Sequence, residues 1–342
     1  MPLLSKTHRD GSLDIPKIRD KSKTSSNTGK RRRSSGFLRR VSHEASVRSG
    51  SKRKYLQVPL PNAEHYATPI GCRWSENSCA YDAIVTPLFI LWCSDRELWS
   101  QEFSGTRNLI ANMLIEGFYQ YERGETSLEG ARDDFRRLIA SIPNGAPFGT
   151  YTTIENVCIP LLRSNFVVSE MFYQCPTNGH YVHHLDDHDA LFSTGRNVYE
   201  SIAQWISLDT RHLEIACQHC GHAVGLQRKF RSAPPLLVFS MPISTSTRTT
   251  TLMNTTLNIS IEDQNHKYVL MTVVYYGHHH FTNHVITRDG RIWFYDGMAI
   301  MNRQVRPALK CVGSIHVQQD LNLLYNCRGN RVCTVIYAHE RY

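Results

Sequence analysis

Three consecutive residues, Asn77-Ser78-Cys79, offer a nucleophile and an oxyanion donor together. They sit near the front of Trp74-Ser-Glu-Asn-Ser-Cys-Ala-Tyr-Asp-Ala-Ile-Val-Thr-Pro-Leu-Phe-Ile-Leu-Trp92, polar at its start and almost wholly apolar behind. That pattern predicts a loop ending at Ser78 and a buried helix from Cys79, capped by Asn77 or Ser78. Pro87 predicts a kink or a restart well inside the helix. A thiol in the first turn lies at the positive end of the helix dipole, which favours thiolate over thiol. The Asn77 amide is close enough in sequence to hydrogen-bond an oxyanion developing in the same space. The competing reading is packing, because cysteine is among the most buried residue types.

A thiol nucleophile needs a base, and the histidines cluster at 278, 279, 280 and 284, just before an Asp-Gly turn with Asp296 just after it. A three-residue loop Arg288-Asp289-Gly290 would put Gly290 in the left-handed position such hairpins demand. Thr287 then faces Arg291 and Thr282 faces Asp296. Strand alternation puts His278, His280 and His284 on the face of Asp296 and His279 on the other. His280 and His284 are both diagonal neighbours of the carboxylate, and either is placed to donate a hydrogen bond to it. Such a carboxylate fixes the tautomer and orientation of a general base. Four clustered histidines also suit a metal, but no His-Glu-x-x-His helix accompanies them, which argues against a metalloprotease.

A second constellation is metal-like. Cys217-Gln-His-Cys220-Gly is the only Cys-x-x-Cys in the chain. It follows a strand-like segment, as Cys175-Pro-Thr-Asn-Gly-His180 follows Phe166–Tyr173. Strand, knuckle, excursion, strand, knuckle is how a zinc ribbon is built. Cys175, His180, Cys217 and Cys220 are the expected ligands of one structural zinc ion, with His183 and His222 competing for the place of His180. Without a surrounding βαβ pattern, a redox role for Cys217 and Cys220 is disfavoured. The excursion, with His183, His184, Asp186, Asp187, His188 and Asp189, reads as an exposed loop with solvated histidines.

The chain of 342 residues must position these groups. Residues 1–54 hold 16 Lys/Arg against 4 Asp/Glu, a net of +12; the remainder holds 23 against 26, a net of −3. Residues 1–56 therefore read as a disordered basic tail, too poor in apolar surface to offset its ordering entropy. Lys30-Arg31-Arg32-Arg33 and Lys52-Arg53-Lys54 are clusters of the nuclear-import or polyanion-binding kind, and Arg39-Arg40-Val41-Ser42 resembles a basic-directed kinase site. The acidic body argues against a nucleic-acid-binding zinc ribbon, leaving only non-specific attraction through the tail. No apolar run is long enough to cross a membrane and no signal-peptide core is present, so an intracellular protein, nuclear or cytoplasmic, is expected, its ten cysteines not forming a disulfide framework. Ser94–Ile142 has helical spacing, notably at Asn108–Ile115 and Leu128–Ile139, broken by Gly124 and closed by Pro143-Asn-Gly145. Strand-like segments follow at Leu236–Met241, Tyr268–Tyr276, Phe281–Thr287, Arg291–Tyr295 and Val332–Tyr337, with a Ser/Thr-rich loop from Ile243 to Thr256. The fold class is α+β.

These residues also carry a resemblance. Asn77-Ser-Cys79 resembles the Asn-Thr-Cys box of the ubiquitin-specific proteases. Gly277-His-His-His280-Phe-Thr followed by Trp293-Phe-Tyr-Asp296-Gly resembles their His box, and Val332–Tyr337 their terminal strand. The likeness covers roughly residues 70–340 in order, though only the two boxes are specific. It implies a papain-like cysteine peptidase over 57–342, with a helical thumb (about 70–164), zinc-ribbon fingers (about 165–232) and an antiparallel β palm (about 233–342). It also implies Cys79 as nucleophile, Asn77 as oxyanion donor, His280 rather than His284 as base, and Asp296 as its partner. The implied reaction is cleavage of ubiquitin or a ubiquitin-like modifier after its C-terminal Gly-Gly. Glu76 stands where the family usually has Gly, Ala80 where it has an aromatic, Phe281 for the usual Tyr, and Gly297 for a polar residue. These departures resemble a divergent branch that includes SUMO-cleaving enzymes, and a catalytically inactive modifier-binding module is the alternative from another class.

Overall fold

The computed structural model describes residues 68–341 apart from 178–179, 195–200, 208–210, 242–252 and 300–307, all within the unit Pro59–Tyr342. The expected basic tail, and residues 243–252 of the expected Ser/Thr-rich loop, lie outside the described residues.

The first part is helical: α1 (Cys79–Ser94), α2 (Arg96–Gly105), α3 (Leu109–Glu122), α4 (Leu128–Ser141) and α5 (Ile154–Leu162). Caps set the starts of the last four, with Asp95, Asn108, Ser127 and Thr153 each accepting from a first-turn N–H. Asn108 does more, since its Nδ2 also donates to the carbonyls of Pro160, Leu161 and Arg163 and so ties α3 to the end of α5. The expected side-chain cap of α1 is absent: Ser78 is the N-cap residue, but its hydroxyl is engaged elsewhere. α5 was not foreseen, because Pro160 and its short length blur the periodicity.

Two sheets follow. β1 (Ser169–Gln174), β2 (Tyr181–Asp187), β4 (Arg211–Ala216) and β5 (Ala223–Phe230) form a four-stranded antiparallel sheet in the order β2-β1-β5-β4. The excursion expected as a loop is thus partly strand, with Ser169 facing Asp187 across the β1–β2 pair. His188 is not simply solvated either, since its Nδ1 lies 3.1 Å from Phe166 O.

The nine-stranded sheet has the order β11-β10-β9-β8-β13-β6-β3, with β12 beside β13 and β7 beside β8. Its members are β3 (Leu191–Ser193), β6 (Leu236–Ser240), β7 (Thr256–Ile261), β8 (Gln264–Gly277), β9 (His280–Ile286), β10 (Arg291–Tyr295), β11 (Lys310–Ser314), β12 (Asn326–Cys327) and β13 (Asn330–His339). β3 pairs parallel with β6, and α6 (Ile202–Ser207) packs Ile202 and Trp205 into the same core as Phe192 and Phe239. Part of the segment expected in the fingers therefore belongs to the large sheet.

Both faces of β8 and β13 are covered. Met271, Val274 and Ile336 join the helical core around Phe89, Trp92 and Phe118, while Val273, Tyr275 and Val335 join the opposite core. Burial on both faces explains the near-continuous apolar run of Tyr268–Tyr276. Full burial of side chains such as Phe89 contributes about 1.5–3 kcal/mol each. Among the described residues no helix is long and apolar enough to cross a membrane.

Candidate active site

Cys79 opens α1, is 4% exposed and lines a cleft of about 870 Å³. The N–H groups of a first helical turn have no acceptor within the helix, so α1 presents donors beside the thiol. Pro87 lies inside α1 without interrupting it. Lacking an N–H, it frees the carbonyl four residues back, that of Ala83. The buried Asn283 of β9 donates its Nδ2 to that oxygen at 2.9 Å. The missing helix bond thus becomes a tie between the helix of Cys79 and the strand of His280.

The hairpin after β9 has the expected register: Ile286 faces Ile292, Asn283 faces Tyr295, and Gly290 has φ +78. His280 Nε2 is 2.9 Å from Asp296 Oδ1. The same oxygen accepts from the Met298 and Ala299 amides at 3.0 and 3.3 Å. Burial raises the Asp296 carboxyl, but His280 and these amides outweigh it and hold the group below its ordinary value. Burial likewise opposes the charged His280, yet Asp296, and then the hydrogen bond with Cys79, push it up to about 9.

The other histidines are elsewhere. β8 and β9 are joined by a two-residue turn in which His278 and His279 have φ +51 and +59. Strand alternation does not extend to them, which corrects the expected placement of His278 and His279 on opposite faces. His279 lies on the rim of the Cys79 cleft, with its Nδ1 3.4 Å from Tyr276 Oη. His284 is buried, 2.9 Å from Tyr275 Oη and 3.7 Å from Cys327 Sγ, and burial followed by the nearby Arg328 pushes it down to about 4.

The loop before Cys79 is clamped from several sides. Trp74 N donates to Gly297 O at 3.1 Å, joining it to the Asp296 turn. A Cβ at Gly297 would lie 2.9 Å from Tyr295 Oη and 3.3 Å from Trp74 N, so this close approach favours glycine after Asp296. Glu76 and Asn77 have φ +45 and +60, a region that favours glycine and accounts for the unusual character of Glu76. The Asn77 amide donates to Gly149 O at 2.8 Å, which leaves its second N–H for an oxyanion. Arg132 donates to Asp82 Oδ1 at 2.7 Å, and the Ser78 hydroxyl donates to Asp82 Oδ2 at 2.6 Å. Burial nonetheless pushes the Asp82 carboxyl up to about 6. Arg132 and Arg136 were not singled out from the sequence. The available signal was their place at positions 4 and 8 beyond Leu128, on the apolar face of α4.

Thr153, Glu155, Ser240, Tyr276, Phe281 and Thr334 also line the cleft, and Ser240 donates to Glu155 Oε1 at 2.6 Å.

At the ends of the β1–β2 and β4–β5 hairpins, ligand atoms of Cys175, His180, Cys217 and Cys220 lie within 4.8 Å of one another. Cys175 Sγ and Cys220 Sγ are 3.3 Å apart, and Cys217 Sγ is 4.0 Å from His180 Nδ1. Three thiols and an imidazole at this spacing fit one tetrahedral ion. The structure brings together the four residues the sequence named. His222 lies outside the group, although its Nδ1 is 3.3 Å from Cys220 Sγ, and the side chain of His183 is outside the described residues.

No protein-family model and no curated protein matches the chain. Among solved structures, a yeast SAGA DUB module is similar at 12% identity and TM-score 0.47, over 80% of this chain and 68% of that one. A SAGA DUB module bound to monoubiquitin matches at 13% identity and TM-score 0.44, over 80% of this chain and 69% of that one. One bound to ubiquitin aldehyde matches at 12% identity and TM-score 0.44, over 83% of this chain and 71% of that one.

Proposed function

We propose that the chain is a cysteine isopeptidase of papain-like architecture, related to the ubiquitin-specific proteases, that removes ubiquitin or a ubiquitin-like modifier after its C-terminal Gly-Gly. The observation that carries the reading is His280 Nε2 held 2.9 Å from Asp296 Oδ1, on a histidine that Cys79, opening α1, is near enough to push up as well. With Nε2 turned to Asp296, Nδ1 is left to take the thiol proton, which the raised His280 holds as an imidazolium before the attack. The Cys79 thiolate attacks the carbonyl carbon, and the second N–H of Asn77 with the free N–H groups opening α1 receives the oxyanion. His280 returns its proton to the leaving amine, and water, deprotonated by the same imidazole, releases the acyl group. Asp296 holds the ring and favours the imidazolium that forms between these steps.

The helical part and the nine-stranded sheet are the thumb and palm of this reading, and the four-stranded sheet is the fingers. Zinc held by Cys175, His180, Cys217 and Cys220 would clamp the two hairpins of the fingers and, with four protein ligands, would have no open position for chemistry.

The observation that keeps a modifier-binding module as the second reading is that one N–H of the Asn77 amide is already committed to Gly149 O, leaving a single N–H for an oxyanion. Turnover separates the two readings. A panel of ubiquitin and ubiquitin-like fusions, SUMO among them, should contain a substrate cleaved by the wild type and not by Cys79→Ala. Binding without cleavage across the panel would favour the module, and neither binding nor cleavage would remove both readings.

A further inference from the structure

Arg132 and Arg136 stand one turn apart on α4 and are 0% and 1% exposed. Besides their bonds to Asp82 and Asp133, both guanidinium groups donate to the loop in front of Cys79. Arg132 donates to Arg73 O at 2.5 Å and to Ser75 Oγ at 2.7 Å. Arg136 donates to Glu76 O at 2.6 Å, and its guanidinium carbon lies 4.2 Å from the centre of the Phe148 ring. The next residue, Gly149, accepts the Asn77 amide at 2.8 Å. One guanidinium therefore touches both segments that flank Asn77. Those segments need holding, because Glu76 and Asn77 are consecutive left-handed residues that both carry a Cβ. The carbonyl that Arg136 takes is that of Glu76 itself.

We propose that Arg136 is a positioning residue of the oxyanion site: it pins Glu76 in its left-handed conformation against Phe148 and thereby aims the Asn77 amide beside Cys79. The catalytic consequence rests on the isopeptidase reading, whereas the clamp does not. Its effect should fall on the step that forms an oxyanion and spare a reaction of Cys79 that forms none. Alkylation by iodoacetamide is such a reaction: sulfur displaces iodide from carbon, and no charge develops on an oxygen.

The test uses the full chain as wild type, Arg136→Met, Arg136→Lys, and Arg136→Met combined with Glu76→Gly. With a cleaved modifier fusion, Arg136→Met should lower kcat by about 10²-fold and leave KM within about threefold, the signature of a misplaced transition-state donor. Cys79 alkylation should stay at the wild-type rate. Adding Glu76→Gly should restore kcat by about tenfold, because glycine takes positive φ freely. Arg136→Lys, which keeps the charge, should give the same split with a smaller loss and serves if the Met variant does not fold. Parallel losses of kcat and alkylation, an unchanged kcat, or no recovery with Glu76→Gly would each overturn the proposal. If the wild type cleaves no fusion, the isopeptidase reading has failed, and hydrogen exchange at residues 75–78 decides the clamp. Exchange should quicken by about tenfold in Arg136→Met, consistent with local opening, and an unchanged rate would overturn it.

Discussion

Asp296→Asn is expected to reverse the protonation of His280 near neutral pH. Burial alone would lower this histidine, but the hydrogen bond with Asp296, followed by that with Cys79, raises it from 6.5 to about 9. Without the carboxylate, burial faces only the weaker Cys79 contribution, and His280 should titrate at or below 6.5. At about 1.4 kcal/mol for each tenfold change, the rise favours the imidazolium by about 3 kcal/mol. The His280 side chain is 16% exposed, and solvent screening reduces this to about 2 kcal/mol of folding stability. A folded pKa above the unfolded one stabilises fully below the unfolded value, and that stability is lost as pH rises through the folded value. Wild type should therefore exceed Asp296→Asn by about 2 kcal/mol at pH 6, with the gap closing between 6.5 and 9. Carbon-13 histidine resonances, with His280 assigned by its alanine variant, report the titration, and urea unfolding at pH 6 and pH 9 reports the stability. A His280 titration still near 9 in Asp296→Asn, or an equal gap at both pH values, refutes the electrostatic reasoning.

Three further outcomes follow from the geometry. His280→Ala should cost at least about two to four orders of magnitude in kcat, while His279→Ala keeps most of the activity and His284→Ala loses stability through the buried Tyr275 contact. Loss of activity in His279→Ala alone would show that the turn histidine is the base. Arg132→Met should destabilise the fold by about 3–5 kcal/mol at pH 8 by leaving Asp82 buried without its ion-pair partner, and by less at pH 5, where Asp82 can take a proton; an equal loss relative to wild type at the two pH values contradicts this. Elemental analysis should find about one zinc per chain, and Cys217→Ser or chelation should lower the thermal midpoint while leaving residual activity; metal-free protein of unchanged stability rules the site out.

Much of the site was legible because short-range rules governed it. The Asp-Gly hairpin fixed which residues of β9 and β10 face each other, and with that register His280 and His284 both remained candidates. What separates them is a long-range fact: β12 brings Cys327 to His284, whose Tyr275 hydrogen bond also lies in a packed interior. The turn at His278 and His279 was missed because two consecutive positive-φ histidines are unusual in a hairpin that favours Asn and Gly. The grouping of Cys175, His180, Cys217 and Cys220 was legible from spacing, but β2 was not, because its polar composition hid a strand that pairs with β1. α4 was recognised as a helix by its apolar face, and that same face concealed the two arginines. Whether a buried position takes an ion or a hydrocarbon depends on what lies opposite. Here that is a loop 60 residues earlier, whose carbonyls face Arg136.

The most direct measurement is covalent capture. The full chain is incubated with propargyl-terminated ubiquitin and ubiquitin-like modifiers, and the adduct is mapped by mass spectrometry. One modifier should add once, at Cys79, in the wild type; Cys79→Ala should stay unlabelled and His280→Ala should label much more slowly. No adduct with any modifier, or an adduct at another of the ten cysteines, would contradict the assignment of Cys79 as the nucleophile of an isopeptidase.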